Sequence, residues 1–550
     1  MDATCSLRKR HHSRCEEGSL KSIVVREKVN DAVRLLIDQF ISACALLFRC
    51  LLFVRVKTYD RRQARLRREY GIRESTAVHS YDACTRDYVE SRYRQLGPGA
   101  VYAYTSGSTN EPKKIAYDRK RLRNTRLTFI DVFFRYLAEL PRHRTLFIFS
   151  SIQPEKSLTH LLLQESGLPL YVSGLQAPHR VQNHPAIRVA ARKYGETAVR
   201  LWILVISNPC LLYATNPSTI ANFFHEIHGD WQRSRQLVFD YVNRISEISE
   251  DLNLIHRRIA SRGSCDRLKT IANSSLPLSV IDLIPALRGY SCWDGGYVGP
   301  FLDQIRKYLP PARYRHLPMY SMSTETIETV AYLKQGEPFF LPVSSGVYYE
   351  FIEEGKEDTP ASIIGPADLI AGKTYSMVVS DGYGLRRYQT EDLFGCGGKI
   401  SGIPDLRFVR RRNLSYSFTG EKLTAEQLKL AYRDAESRYP DARNRGFLTC
   451  FPSKPPDEPV PCYRLILVRT NGELPAIGQA IAALVEQKLT EFNPEYKSKV
   501  ESRRLGRMRL ECVTVSDFIR RVSGPVEAGH RGSQFKFLPL YTKLWETVPS

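Results

Sequence analysis

Val101 to Lys114 reads VYAYTSGSTNEPKK, a short alternating apolar run that passes without a break into a Ser/Gly/Thr turn and a pair of lysines. The aromatic and β-branched residues at its start fit a brief strand. In the stretch after them, Thr105 to Lys114, the chain can bend so that backbone N–H groups and hydroxyls face one concavity, and the lysines add positive charge suited to phosphate oxygens. The Walker order, Gly-x-x-x-x-Gly-Lys-Ser/Thr, is absent, and a turn of this composition taken alone is as often only a loop. What decides the fold is its setting, a strand before it and helical texture after it, repeated along the chain.

Outward from this segment the same alternation continues. TLFIFSS (145–151), PLYVSG (169–174) and LWILVIS (201–207) are strand-length apolar runs separated by stretches long enough for helices, a pattern that predicts an α/β fold. Toward the N-terminus, helical periodicity runs from about residue 27 to 56, and the basic RRQARLRREYG (61–71) reads as a solvated helix. The most apolar stretch, Phe40 to Val54, carries Arg49 and follows Asp38; it is short for a bilayer span and is expected to be a core helix. Residues 1–26, with RKRHHSR at 8–14, are expected to form a flexible basic tail. Beyond about residue 413 the texture restarts. A Thr424-x-x-Gln427 capping box leads a helix, YRLILVR (463–469) runs to an Asn471-Gly472 turn, and a long helix (476–492) precedes MRLECVTV (508–515). The expected organisation is a large N-terminal domain over 27–412, with mixed β-sheets and flanking helices, and a small α+β domain over 413–550.

At 550 residues the chain is too long for one ordinary core. A content of 43% hydrophobic and 25% charged residues excludes a disordered or fibrous chain. The net charge of +22 points to an anionic partner without choosing one. The twelve cysteines include no Cys-x-x-Cys pair and read as reduced. HEIH at 225–228 lacks zincin spacing, so it reads as a helix surface rather than a metal site. There is no apolar leader with a cleavage site, and the expectation is a cytoplasmic protein.

Several segments in order resemble the Gretchen Hagen family of acyl acid amido synthetases, a branch of the adenylate-forming enzymes. Thr105-Ser106-Gly107-Ser108-Thr109, with Lys113 and Lys114, is similar to the family's phosphate loop, with Asn110 at a glycine position. Tyr320-Ser321-Met322-Ser323-Thr324-Glu325 resembles Tyr-x-x-Ser/Thr-Glu, with Ser321 where the family carries a tyrosine. VYYEFI (347–352) resembles Tyr-Phe-Glu-Phe. Tyr383 to Asp392 resembles Ala-Gly-Leu-Tyr-Arg-Tyr-Arg-x-Gly-Asp, with Glu391 in the glycine position. Phe408 to Leu428 resembles the hinge; LTEFNPEY (489–496) and RGSQFKFLP (531–539) resemble two late segments.

The resemblance implies ATP and Mg²⁺ as cofactors and a mobile C-terminal domain. It implies that Thr105 to Thr109, Lys114, Ser323 and Thr324 bind nucleotide, Glu325 holds the metal, Tyr348 lies near the nucleotide, Asp392 takes the ribose and Arg411 reaches ribose or phosphate. Lys422 and Lys536 are then the catalytic cations. The implied reaction joins a small carboxylic acid to an amine, typically an amino acid. Two alternatives remain: an acyl-thioester-forming ligase, and a catalytically degenerate basic binding or scaffold protein. No membrane is expected, nucleic acid is disfavoured, and a monomer is favoured.

Overall fold

A run from Ala3 to Lys57 without proline forms one helix, α1, and Thr58 separates it from α2 (Tyr59–Glu69). Helix α1 takes in residues 3–26 of the expected tail, a stretch that holds no proline. In this computed structural model the described residues are 3–79, 95–96, 100–104, 114–141, 144–150, 158, 161–162, 178–244, 249–296, 298–319, 321–412, 415–418, 421, 423–440, 446–454, 460–469, 477–523 and 537–545. Next, β1 (Val101–Tyr104) pairs antiparallel with β2 (Lys114–Tyr117), and α3 (Arg119–Ala138) follows. The Asp118 side chain caps α3 by accepting the Arg121 N–H at 2.6 Å.

The central sheet is parallel, in the order β3 (Leu146–Ile148), β4 (Leu211–Tyr213), β5 (Gly289–Ser291), β6 (Arg315–His316). Between β3 and β4 come α4 (Pro185–Tyr194) and α5 (Glu196–Ser207); between β4 and β5 come α6 (Pro217–Gly229), α7 (Trp231–Val242), α8 (Ser249–Ile259), α9 (Ser264–Asn273) and α10 (Val280–Leu283). Alternation along the strands sends Phe147 and Leu212 into a core with Trp202, Ile220 and Phe224. Leu146, Ile148, Leu211 and Tyr213 face the other way, onto Phe129, Phe133 and Tyr136 of α3 and Ile37 and Ile41 of α1. Helices thus cover both faces, as parallel sheets require. LWILVIS, expected as a strand, lies inside α5, where every residue from Ala198 to Ser207 is buried. An apolar run enclosed on all sides has no polar face to reveal its period, so strand and helix look alike in sequence.

After β5, α11 (Gly299–Tyr308) leads toward β6, and β7 (Val330–Lys334) pairs with β8 (Glu337–Leu341). A five-stranded antiparallel sheet follows in the order β10 (Ile363–Ile364), β9 (Val347–Glu353), β11 (Thr374–Asp381), β12 (Tyr388–Ile400), β13 (Ile403–Arg411). The turn Trp293 to Gly296 lies against β13: a Cβ on Gly295 would stand 2.9 Å from the Phe408 carbonyl oxygen. Only glycine permits that approach.

The last part of the chain has a hairpin, β14 (Ser415–Tyr416) with β15 (Leu423–Thr424), and then α12 (Ala425–Arg438). The expected Thr424/Gln427 capping box is formed, at 3.2 and 3.1 Å. The strands β16 (Gly446–Ser453), β17 (Cys462–Arg469) and β18 (Arg509–Thr514) form a sheet; α13 (Gly478–Phe492) and α14 (Pro494–Glu501) precede β18, and α15 (Val515–Ser523) follows it. One face packs with α12 and α13 in a core of its own. On the other face, Phe301 of α11 meets Phe447 at 5.4 Å and Phe537 at 5.2 Å. PLYVSG and the Asn471-Gly472 turn lie outside the described residues.

Candidate functional site

Ser321 to Thr329 folds into a tight hairpin. The Thr329 N–H donates to the Ser321 carbonyl at 3.1 Å, the Ser321 N–H donates to Thr329 Oγ1 at 3.0 Å, and the Thr326 N–H donates to Ser323 Oγ at 3.2 Å. Thr324 and Glu325 stand at its tip. Two groups from the β2–α3 region hold that tip: Tyr117 donates its hydroxyl to the Thr324 carbonyl at 2.8 Å, and Arg121 Nη2 donates to the Glu325 carbonyl at 2.6 Å.

Arg121 is buried and organises the surroundings. Its Nη1 donates to the Ala116 carbonyl at 3.0 Å, its Nη2 lies 3.7 Å from the Asp381 carboxylate, and its guanidinium stacks on Tyr117 and Tyr383 at 4.5 and 5.0 Å. Asp381, at the end of β11, also accepts the N–H groups of Tyr383 and Leu385, both at 2.9 Å. The Tyr388 hydroxyl reaches Glu325 Oε1 at 3.3 Å. Four stretches distant in sequence thereby meet around Glu325: β2 with the start of α3, the 321–329 hairpin, the 381–392 segment, and β13 through Arg411.

Arg411 pairs in register with Asp392 across β12 and β13, and its Nη2 contacts Glu391 at 2.5 Å. Burial works against its charge, but Asp392, Glu391 and Glu325 outweigh that and raise its affinity for the proton. Glu328 is fully enclosed. Burial, with Asp392 and Glu325 adding to it, pushes its carboxyl up to about 8, so it is largely neutral at pH 7. Its Oε2 accepts the Ser321 hydroxyl at 3.0 Å, while Oε1 is buried without a hydrogen-bond partner among the described residues. Glu391 sits at φ +62°, the left-handed region that glycine adopts freely.

Of the expected site residues, Ser323, Thr324, Glu325, Asp392 and Arg411 fall in or beside this cluster. Tyr348 points elsewhere, against Leu66, Tyr70 and Ile72. Its neighbour Tyr349 faces inward and donates to the Ile327 carbonyl at 2.8 Å. Thr105, Ser106, Gly107, Ser108, Thr109, Asn110, Lys422 and Lys536 lie outside the described residues, as does the side chain of Lys114, although β1 and β2 place both ends of the 105–113 loop next to Tyr117. Sequence reading missed Arg121, Asp381, Glu328 and the buried pair of Glu350 with Arg387, whose contacts measure 2.9 and 3.0 Å. The last pair had a signal, since each member stands inside a quoted motif. Arg121 had none.

Magnesium commonly takes one or two carboxylates and completes its shell with phosphate and water oxygens, so a single Glu325 carboxylate beside Asp392 fits it. Among the described residues, the compact group of metal-capable atoms is Glu27, His256 and Cys265. Glu27 there accepts the N–H groups of Gly263 and Ser264, and His256 lies between Tyr241 and Ser264 at 2.9 and 2.6 Å. These bonds describe a helix-start cap.

The profile of the GH3 family central domain matches residues 340–411, which hold β9 to β13. An indole-3-acetic acid-amido synthetase, GH3.4 of Arabidopsis thaliana, is 24% identical over 42% of this chain and 41% of its own length. The jasmonoyl-L-amino acid synthetase JAR4 of Nicotiana attenuata is 36% identical over 16% of each chain. These alignments span less than half the length of the curated relatives. The solved GH3.15 acyl acid amido synthetase superposes with a TM-score of 0.68 at 15% identity, covering 90% of this chain and 94% of that one. The chain thus has the mixed α/β fold of that enzyme.

Proposed function

We propose that this chain, which belongs to the GH3 family, activates a small carboxylic acid with ATP and transfers the acyl group to an amine, an amino acid in the first instance. The acid's carboxylate oxygen attacks the α-phosphorus and pyrophosphate leaves, giving an acyl adenylate. The amine then attacks the acyl carbon, loses a proton and expels AMP. Adenylation is needed because a carboxylate is a poor acyl donor at neutral pH, and no protein nucleophile is required; the enzyme's part is positioning and charge stabilisation.

The single observation that carries this reading is the convergence on Glu325. Segments far apart in sequence, each proposed for nucleotide contact, supply an acidic and cationic cluster beside the two ends of the 105–113 loop. In this reading Thr105 to Thr109 and Lys114 cradle the phosphates, with Ser323 and Thr324 beside them, and Asp392 accepts from the ribose hydroxyls. Arg411 approaches ribose or phosphate, held charged by its acidic neighbours. Mg²⁺ on Glu325 would offset phosphate charge. Lys422 and Lys536 belong to a small mobile domain over 413–550, which brings positive charge to the α-phosphate. The region from about 115 to 300 forms the acyl pocket.

The test is pyrophosphate release from Mg·ATP across aryl, indolyl, alkyl and cyclopentyl acids, with and without mixed amino acids. Release with one acid class, and amide formed only when an amino acid is present, is the expected result. A requirement for coenzyme A instead of an amine would replace amide by thioester formation. Silence across the panel without ATP binding would overturn the proposal.

A further inference from the structure

The helix α1 is amphipathic in the opposite sense to a helix serving a soluble core. Its inward face is partly polar: Glu27, Asn30, Arg34 and Asp38 are all buried. Asn30 donates to the Arg257 and Ala260 carbonyls at 3.2 and 3.0 Å, and Arg34 to the Ile259 carbonyl at 2.8 Å. Asp38 accepts the Arg144 N–H at 2.8 Å. The outward face is apolar. Leu36 is 66% exposed, Leu47 57%, Phe40 55% and Val54 54%, with Val25, Val29, Leu46, Leu51 and Phe53 also exposed. The expectation that Phe40 to Val54 is core thus holds for one side only, through Ile41, Ala45 and Leu52.

Spacings of three and four residues set these side chains in one stripe, which at about 1.5 Å per residue runs about 44 Å from Val25 to Val54. At 100° per residue the apolar arc covers roughly 160°. Between residues 25 and 57 the exposed charged side chains are Arg26, Lys28, Arg49 and Lys57, all cationic, of which Arg49 pairs with Glu139, while the acids Glu27 and Asp38 are buried and Asp31 pairs with Arg34 at 3.2 Å. The helix also runs back through a sequence carrying Arg8, Lys9, Arg10 and Arg14.

From this arrangement we infer that the outer face of α1 lies on an anionic lipid bilayer, parallel to its plane, with the apolar stripe at the acyl boundary and the lysine and arginine stems reaching the headgroups. By length and composition Val25–Lys57 could cross a membrane, but the buried polar contacts tie its other face to α8 and to the loop between α3 and β3, so it lies along the surface. A second copy of the same helix fits less well. A helix pair seals a narrow seam, whereas this arc is wide, and two such helices would bring only like charges together along their edges. The inference departs from the expectation of no membrane, and it is independent of the enzymatic reading because it concerns another surface.

The test is flotation of the full chain with vesicles of phosphatidylcholine alone and of about three parts phosphatidylcholine to one of phosphatidylserine. The protein should float with the mixed vesicles and lose that association as salt rises. Leu36→Gln/Leu47→Gln/Val54→Gln alters only exposed positions, so its unfolding midpoint should match the parent's, while vesicle binding should fall at least about tenfold. The inference is overturned if the parent stays in the buffer fraction with both vesicle types, floats equally with both, or is matched in flotation by the triple variant. A concentration-dependent dimer that the triple variant makes monomeric would overturn it as well, by assigning the stripe to self-association.

Discussion

Glu391 occupies a position where the family resemblance carries glycine, and the structure gives that departure a physical consequence. With φ at +62°, its Cβ is held in a region that disfavours L side chains, at about 1 kcal/mol or more. The carboxylate meets Arg411 at 2.5 Å, with the two side chains 33% and 25% exposed, so solvent screening limits the pair to about 0.5 kcal/mol. Glu391→Gly removes both terms, while a looser unfolded chain offsets about 0.5 kcal/mol of the relief. Glu391→Gln removes only the charge. Chemical denaturation should therefore find Glu391→Gly more stable than Glu391→Gln by about 0.5 to 1 kcal/mol, and close to the parent. Glycine also frees Arg411 from a competing carboxylate. If Arg411 serves the nucleotide, ATP binding measured by titration calorimetry should tighten about threefold to fivefold in both variants, the equivalent of up to about 1 kcal/mol. Equal stability of the two variants would refute the strain argument. Unchanged or weaker ATP binding in both would refute the role given to Arg411.

Arg121→Leu leaves the Ala116 and Glu325 carbonyls and the Asp381 carboxylate without their cation; a loss of about 3 kcal/mol is expected in denaturant unfolding, together with loss of ATP binding. A loss under about 1 kcal/mol would mean that water replaces the guanidinium. The Glu328 carboxyl, pushed up to about 8, binds its proton more tightly folded than unfolded, so without nucleotide stability should fall as pH rises from about 5 to 8, and Glu328→Gln should flatten that decline. Parallel pH profiles for parent and variant would count against it. Gly295→Ala places a methyl 2.9 Å from the Phe408 carbonyl oxygen and 3.0 Å from its Cβ, so a loss of about 1 to 3 kcal/mol is expected, read as a lower unfolding midpoint.

The pattern of elements was legible where alternation or a cap marks it. The alternation in VYYEFI marks β9, and the Thr424/Gln427 box marks the start of α12. Legibility failed where burial is complete, as in α5, because a helix enclosed on all sides carries no polar stripe. It failed differently in α1, whose apolar character was plain but whose exposed side was not: Glu27, Asn30, Arg34 and Asp38 are buried while Leu36, Phe40 and Leu47 are exposed. The candidate site divided along the same line. Glu325, Asp392 and Arg411 stand inside recognisable motifs, whereas Arg121 and Asp381 acquire their roles only when the fold brings them together beside the 321–329 hairpin.

Two departures from the family pattern share one electrostatic setting. Ser321, in place of a tyrosine, donates to Glu328, and Glu391, in place of a glycine, pairs with Arg411; Asp392 acts on both Glu328 and Arg411. A serine cannot supply the aromatic face of the tyrosine that the resemblance places at this position, but its hydroxyl engages the buried carboxyl at 3.0 Å. Under the proposed function, nucleotide recognition rests more on ribose and phosphate contacts than on stacking against a ring at position 321. It follows that ATP and GTP should be discriminated weakly, and that Ser321→Tyr should sharpen the preference for adenine while displacing the hydroxyl that Glu328 now engages. Competition of GTP against a labelled ATP analogue measures this: a strong preference for ATP in the parent chain would mean that another aromatic group has taken the stacking position.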